Sequence, residues 1–229
     1  MLLNYLKITF RNLIKYRGYA FINIAGLAIG MACSFLILLW AIDEVSFDRF
    51  HENRNDIYRI ITETNTGDNQ TASSNSPNAL GPALHDQYPE VTTMARYMGG
   101  FSGWLIQRGD KSFTNDRWAA VDPSFFQMFS FPFLQGNPLT ALNEKLSVVI
   151  SDKMAQKYFG DENAIGHILK KDDVDLTITG IIHVPENSHL QFDYAFPIEN
   201  MRQWFYQDLE SWQAVRAAAA NPVEALRYE

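Results

Sequence analysis

The strongest constraint on this 229-residue chain is a run of 24 residues, Tyr19 to Ile42, without one charged side chain. As a helix rising 1.5 Å per residue it spans roughly 36 Å, enough to cross a hydrocarbon core of about 30 Å with some tilt. Tyr16 and Tyr19 stand at one end and Trp40 at the other, where amphipathic rings favour the membrane interface. Lys7, Arg11, Lys15 and Arg17 precede the run and no acid does; Asp43, Glu44 and Asp48 follow it. The positive-inside rule then puts the N-terminus in the cytoplasm and everything after residue 42 outside the inner (plasma) membrane. A cleaved signal peptide would have a shorter apolar region and a small-residue cleavage site, whereas Leu39-Trp40 sits near the end of this one. A lipoprotein signal at Cys33 is disfavoured by the apolar Phe35–Leu39 run behind it. The next most apolar window, FFQMFSFPFL at 125–134, is ten residues long. The reading is a single span.

The flank has its own pattern. Over residues 1–18, Leu3, Leu6, Phe10, Leu13 and Ile14 fall on one helical face, and Asn4, Lys7, Arg11 and Lys15 on another. That spacing predicts an amphipathic helix lying on anionic lipid before the chain enters the bilayer, with Arg17 completing the basic set. Membrane lipid is the partner it implies. Inside the span, Gly26, Gly30 and Ser34 recur every fourth residue, a spacing that lets another helix approach closely.

The remainder holds 15 of the 19 basic residues and all 26 acidic ones. So acidic a domain argues against nucleic acid as a partner, since phosphate binding needs a basic face. One cysteine excludes an intrachain disulfide and a cysteine zinc site. Residues 43–56 read as a short helical or irregular connector, and the β-branched run at 57–62 as a strand. The polar stretch at 64–78 reads as a loop, and Ala79 to Tyr88 as a helix stopped by Pro89. Strand-like runs follow at about 92–98, 103–108 and 112–121. Five phenylalanines between Phe125 and Phe133 predict a core plug beneath a sheet. Leu146–Ile150 reads as a strand, Ser151 as the cap of a helix over 152–158, and Gly160 as its end. Residues 168–170 and 176–184 suggest a hairpin, and 192–196 a last strand. The fold class is α+β: an amphipathic helix and one transmembrane helix, then a mostly antiparallel outer domain.

Chemistry is sparse. Gly160 to His167 has glycines but no GK[ST], so no phosphate loop is present and the chain should bind no ATP itself. His183 and His189 flank Glu186 in HVPENSH, but five intervening residues do not give the i, i+4 face of a helical zinc site. Asp172, Asp173 and Asp175 lack the glycine and distal glutamate of a calcium loop. No nucleophile elbow occurs, and no acid–base pair emerges from the spacing. The sequence predicts no enzyme, no catalytic or metal-binding residue and no cofactor in this chain.

Several motifs in order carry a resemblance. NYLKITFRNLIKYRGYAFINIAGLAIGMA and DRFHENRNDIYRI resemble the start of MacB/FtsX-type ABC transporter permeases. VDPSFFQMFSFPFLQGNP, VVISDKMAQKYFG, AIGHIL and HVPENSHLQFDYAFP resemble the extracytoplasmic core-domain motifs of the same family. The resemblance covers about residues 1–206. It implies four spans in full-length members, a large outer domain after the first, a second permease and a separate ATPase subunit that binds the ATP. It also implies that ATP-driven motion crosses the membrane to export or extract a substrate.

The last stretch, SWQAVRAAAANPVEALRYE, is similar to the family's extreme C-terminus. The resemblance thus implies an internal deletion joined at Ser211-Trp212, with residues 43–206 an incomplete core domain and 207–229 a displaced cytoplasmic tail. Such a chain would be non-functional alone. The alternative from another class is a single-span extracytoplasmic binding or sensor module.

Overall fold

The computed structural model describes residues 2–66, 69–73, 75–101, 104–114 and 116–204. The expected tail at 207–229 lies outside them. The chain divides into two compact units, Met1–Phe47 and Asp48–Glu229.

In the first unit, α1 (Leu2–Lys15) and α2 (Arg17–Ser46) meet at Tyr16, whose φ of −111° and ψ of 44° break the helix for one residue. Bonds from Tyr16 N–H to the Asn12 carbonyl (2.9 Å) and from Ala20 N–H to the Tyr16 carbonyl (3.0 Å) span the break. Asp43 and Glu44 continue the helix beyond the charge-free run. No residue of α2 is buried, and Phe21, Leu27, Phe35 and Trp40 are all largely exposed. A helix apolar on every side needs an apolar solvent or a wide protein core. Among the described residues it is the one helix long and apolar enough to cross a membrane.

The second unit is α+β. A hairpin of β1 (Thr62–Thr66) and β2 (Asn69–Ser73) stands apart from a nine-stranded sheet. The sheet comprises β3 (Tyr97–Phe101), β4 (Ile106–Arg108), β5 (Lys111–Phe113), β6 (Arg117–Val121), β7 (Phe133–Gly136), β8 (Ser147–Ser151), β9 (Ile168–Lys171), β10 (Val174–Ile182) and β11 (Tyr194–Pro197). Its order is β3-β6-β11-β8-β10-β9-β4-β5, with β7 also on β10. Among the described residues only β8–β10 and β6–β11 pair in parallel, so the sheet is mixed and mostly antiparallel. Helices α3 (Leu80–Gln87), α4 (Phe125–Met128), α5 (Asp152–Phe159) and α6 (Asn200–Trp204) complete the unit.

Both faces of the sheet are buried. Trp118, Ala120, Val148, Ile150, Tyr194 and Phe196 face one core, which α5 covers with Met154, Tyr158 and Phe159. Ala119, Val121, Val149 and Ala195, one residue out of phase, face a second core built from Phe125, Phe126, Phe131, Leu142 and Phe192. Two-sided burial is why β6, β8 and β11 read as continuous apolar runs rather than alternating ones. Ser151 caps α5 by accepting the Met154 N–H, and Gly160 ends it at a φ of +63°, as the sequence predicts. In the first core the Tyr194 hydroxyl lies 3.0 Å from both Asp116 Oδ2 and the Tyr158 hydroxyl, which donates to the Ile106 carbonyl. Burial pushes the Tyr158 phenol up to about 12.

Three segments differ from the sequence reading. Residues 57–61 form no strand, because no strand partner exists for them among the described residues. The expected loop at 64–78 contains most of β1 and all of β2; Thr62, Thr64 and Thr66 alternate with polar residues, a β-branched signal that composition hid. The strand expected over 92–98 begins only at Tyr97. Before it, the Arg96 N–H donates to Asp122 Oδ2 (2.7 Å), and the Arg96 guanidinium holds both oxygens of the same carboxylate.

β7 and β10 approach closely at Gly136 and Gly180, which are cross-strand partners. Gly136 has a φ of +93°, and a Cβ there would meet the Thr179 carbonyl at 2.5 Å. Gly109 also has a positive φ but open space around it. Gly136→Ala should therefore cost about 2–4 kcal/mol, the left-handed penalty plus the clash. Gly109→Ala should cost about 1–2 kcal/mol. Urea denaturation midpoints of the two variants check the difference.

Candidate functional site: the anchor behind the apolar helix

The chain enters the second unit at Asp48, a left-handed residue with a φ of +55°, a conformation that aspartate tolerates because its short carboxylate bonds locally. Its N–H donates to the Asn187 carbonyl (2.9 Å). Its carboxylate accepts the His189 N–H (3.0 Å) and lies 2.7 Å from His189 Nδ1. Phe50 then packs edge-on to Phe131 at the second core. His51 is 3% exposed and sits edge-on to Phe129 and Phe131. His51 Nδ1 accepts the Ser130 N–H (3.1 Å), and the Glu52 N–H donates to Ser130 Oγ (3.1 Å). Asn53 Nδ2 reaches the Met128 carbonyl (3.2 Å).

The loop that receives Asp48 is itself fixed. The His183 N–H donates to the Pro132 carbonyl (2.9 Å), and His183 Nδ1 lies 2.6 Å from Asp152 Oδ2 at the start of α5. Gln191 Nε2 bonds the Pro185 and Ser188 carbonyls from within. Three segments far apart in sequence, 48–53, 127–132 and 183–191, thus form one joint. They are parts of the DRFHEN, SFFQMFSFP and HVPENSH motifs that carry the resemblance. Spacing alone pointed to HVPENSH only as a polar loop; nothing local to it announces Asp48 as its partner.

The joint holds no nucleophile–base pair aimed at a cavity. What it can do is hold: it fixes the chain leaving the apolar helix to one face of the sheet. Elsewhere an open cleft of about 320 Å³ is lined by Asp122, Leu142, Lys145, Ile198 and Arg202 among others, but the Asp122 carboxylate is already taken by Arg96. Among the described residues no three His, Cys, Asp or Glu side chains are grouped to hold a metal.

The residues singled out in the sequence lie in the first unit. Lys7, Arg11 and Lys15 are exposed, four apart, on α1, with Tyr5, Phe10, Leu13 and Ile14 also exposed. Arg17 begins α2 beyond the break. Gly26, Gly30 and Ser34 form an open strip on α2: nothing lies within 4 Å of a Cβ placed at either glycine, and Ser34 Oγ donates back to the Gly30 carbonyl (2.8 Å).

A helix long and apolar enough to cross a membrane thus precedes a mixed, mostly antiparallel domain. The chain belongs to the family of the MacB-like periplasmic core domain, whose family model matches residues 20–228, and so to the permeases of MacB/FtsX-like ABC transporters. A crystallised domain of a permease protein from Porphyromonas gingivalis shares its fold, with a TM-score of 0.52 at 23% identity, covering 66% of this chain and 65% of that one. The periplasmic region of MacB from Actinobacillus actinomycetemcomitans gives a TM-score of 0.47 at 14% identity, covering 58% and 60%. The extracellular domain of the noncanonic ABC-type transporter YknZ from Gram-positive bacteria gives 0.39 at 15%, covering 48% and 58%. The chain thus spans less than two thirds of each of these solved domains. A search of curated proteins gives no match.

His51 makes the joint acid-sensitive. Its Nε2–H finds no acceptor among the described residues, and a second proton would have to sit on the Nδ1 that already accepts from Ser130. Burial holds its pKa below the ordinary value, with the Asp48 carboxylate pulling the other way. Between that depressed value and about 6.5, the unfolded chain binds a proton that the folded one does not. Stability should therefore fall as pH drops below about 6.5, and His51 should add no pH dependence above it. Urea denaturation followed by tryptophan fluorescence between pH 7.5 and 5 checks this. His51→Phe should be less stable at pH 7.5, having lost the Ser130 acceptor, but should show a flatter pH slope.

Proposed function

We propose that this chain is the membrane subunit of a MacB/FtsX-type ABC transporter, coupling ATP hydrolysis on a separate subunit to export or extraction of a substrate outside the membrane. One observation carries the reading: the family match extends from inside α2 to residue 228, and so takes in both the apolar helix and the second unit. In this reading α2 crosses the inner membrane once, with the N-terminus in the cytoplasm and the second unit in the periplasm. The excess of basic residues before α2 and of acids after it supports that orientation. Lys7, Arg11, Lys15 and Arg17 hold α1 to anionic headgroups. The strip of Gly26, Gly30 and Ser34 takes a neighbouring transmembrane helix, such as that of a second permease. Nucleotide belongs to the ATPase partner, because this sequence carries no phosphate loop.

The test is topology first and partnership second. Alkaline phosphatase fused after Glu63 should be active, whereas a reporter that works there only in the cytoplasm would reverse the orientation. Expressed with an ABC ATPase subunit of the same transporter type from its own source, the chain should co-purify with that subunit. Purified alone it should hydrolyse no ATP above background, and stoichiometric nucleotide binding by the isolated chain would overturn the assignment.

A further inference from the structure

The carboxyl ends of β6 and β11 open onto the cleft that the entry joint does not use. The two strands run in parallel, with Val121 opposite Pro197, so the chain leaves the sheet twice at the same edge. The Ile198 N–H donates to the Val121 carbonyl (2.8 Å) and ties the two exits together. In open sheets such edges are where ligand clefts form. At about 320 Å³, this one is at the small end of the range for small-molecule sites. Buried Leu142, Pro197 and Ile198 give it apolar walls. Two of its charges are matched within the chain. Arg96 holds both oxygens of the Asp122 carboxylate, and Glu199 Oε2 accepts from Arg202 Nε at 3.2 Å.

Lys145 is different. It lines the cleft, but its ammonium makes no hydrogen bond or ion pair among the described residues. Its backbone, by contrast, is fixed. Asn200 Nδ2 donates to the Lys145 carbonyl (2.7 Å), and the Ser147 N–H and Oγ both donate to the Glu144 carbonyl (3.0 and 2.6 Å). Asn200 is 1% exposed, and its own Oδ1 meets no donor among the described residues, which is destabilising. The fold thus gives up stability to pin residue 145, which carries an unmatched charge at the cleft.

We propose that this cleft binds a small organic anion, a carboxylate on a short apolar chain, with the Lys145 ammonium on the carboxylate and the chain against Leu142, Pro197 and Ile198. One unmatched ammonium calls for one negative charge, and apolar walls call for hydrocarbon beside it. A phosphate dianion needs several converging donors, and a cation would meet only carboxylates already engaged. The inference lies within the second unit and goes beyond the transporter reading: a chain that binds no ATPase would still bind the carboxylate.

Titration of the full chain in nanodiscs with hexanoate tests it, followed by broadening of the ligand's NMR lines and corrected for empty nanodiscs. Binding should saturate. Lys145→Ala should weaken it about tenfold or more, the loss of one charge-assisted hydrogen bond, and Lys145→Arg should retain it. Hexanamide, the same chain without the charge, should also bind about tenfold more weakly or worse. Lys170→Ala, on β9 and outside the cleft, should bind as the unaltered chain does. The arginine variant keeps the test decisive whatever the stability of the alanine one. Hexanoate that does not saturate would overturn the proposal. So would hexanamide binding equally well, Lys145→Ala binding undiminished, Lys145→Arg losing as much as Lys145→Ala, Lys170→Ala losing as much as Lys145→Ala, or inorganic phosphate displacing hexanoate at lower concentration than hexanoate itself needs.

Discussion

The second unit depends on one inserted residue in β10. Opposite β8, Ile178 pairs with Val148 and Gly180 with Val149, so Thr179 is left over as a bulge. Strand side chains alternate faces, so an extra residue exchanges the faces from that point on. Before the bulge Leu176 and Ile178 face the first core; after it Ile181 faces the first and Ile182 the second. Without the insertion Ile182 would share the face of Ile178 and leave the second core. The bulge is held in place from within, because Thr179 Oγ1 donates to the Ala141 carbonyl (2.6 Å). The residue after it, Gly180, lets β7 come in against Gly136. One long strand thereby serves β8 on one edge and β9 and then β7 on the other.

Two-sided burial then decides what the irregular segments must do. The first face is covered by α5, whose cap and terminal glycine lie in its own sequence, and by Met201 and Trp204 of α6. At α6 the Lys171 ammonium stands 4.8 Å from the Trp204 ring and 4.5 Å from Trp104, a cation held between aromatic faces. The second face has no long helix. It is closed by the phenylalanine segment and the Phe192 strand entry, with Phe50 of the connector packed against them. The chain that leaves the apolar helix is therefore part of a hydrophobic core rather than a tether. The resemblance motifs converge there because a core made of loops needs particular residues at particular places, where a helix face needs only a period.

That contrast explains what was legible in the sequence. The apolar helix, the Ser151–Gly160 helix, the Phe125–Phe133 plug and the strands at 147–151 and 194–197 each rest on signals within about ten residues, such as a missing charge, a cap or an apolar run. The Thr179 bulge, the Asp48–His189 pair and the Ser130–His51 bond left no such trace. Each joins residues that the fold alone brings together, across 141 positions for Asp48 and His189 and 79 for Ser130 and His51. The hairpin at 62–73 was missed for another reason. Its threonines and asparagines are what a loop also contains, so its hydropathy carries no strand signal. At Ile57–Ile61 the local signal is strong, but among the described residues no strand pairs with it, so local preference and fold disagree there.

The entry joint is held by hydrogen bonds to backbone groups and by aromatic burial. The joint includes hydrogen bonds to or from backbone groups through Asp48, Glu52, Asn53, Ser130 and His189, each worth about 0.5–1.5 kcal/mol net. Burial of Phe50 and His51 adds a few kcal/mol, at about 1.5–3 kcal/mol for a fully buried large side chain. The exposed Asp48–His189 charge contact adds little. The total is comparable with the roughly 5–15 kcal/mol that holds a whole domain folded. Its outer contacts, at Asp48 and His189, are open to solvent, whereas the His51 ring is buried among aromatic side chains. The phenylalanine core that receives Phe50 also packs against Ala119 and Val121 of β6 and Ala195 of β11.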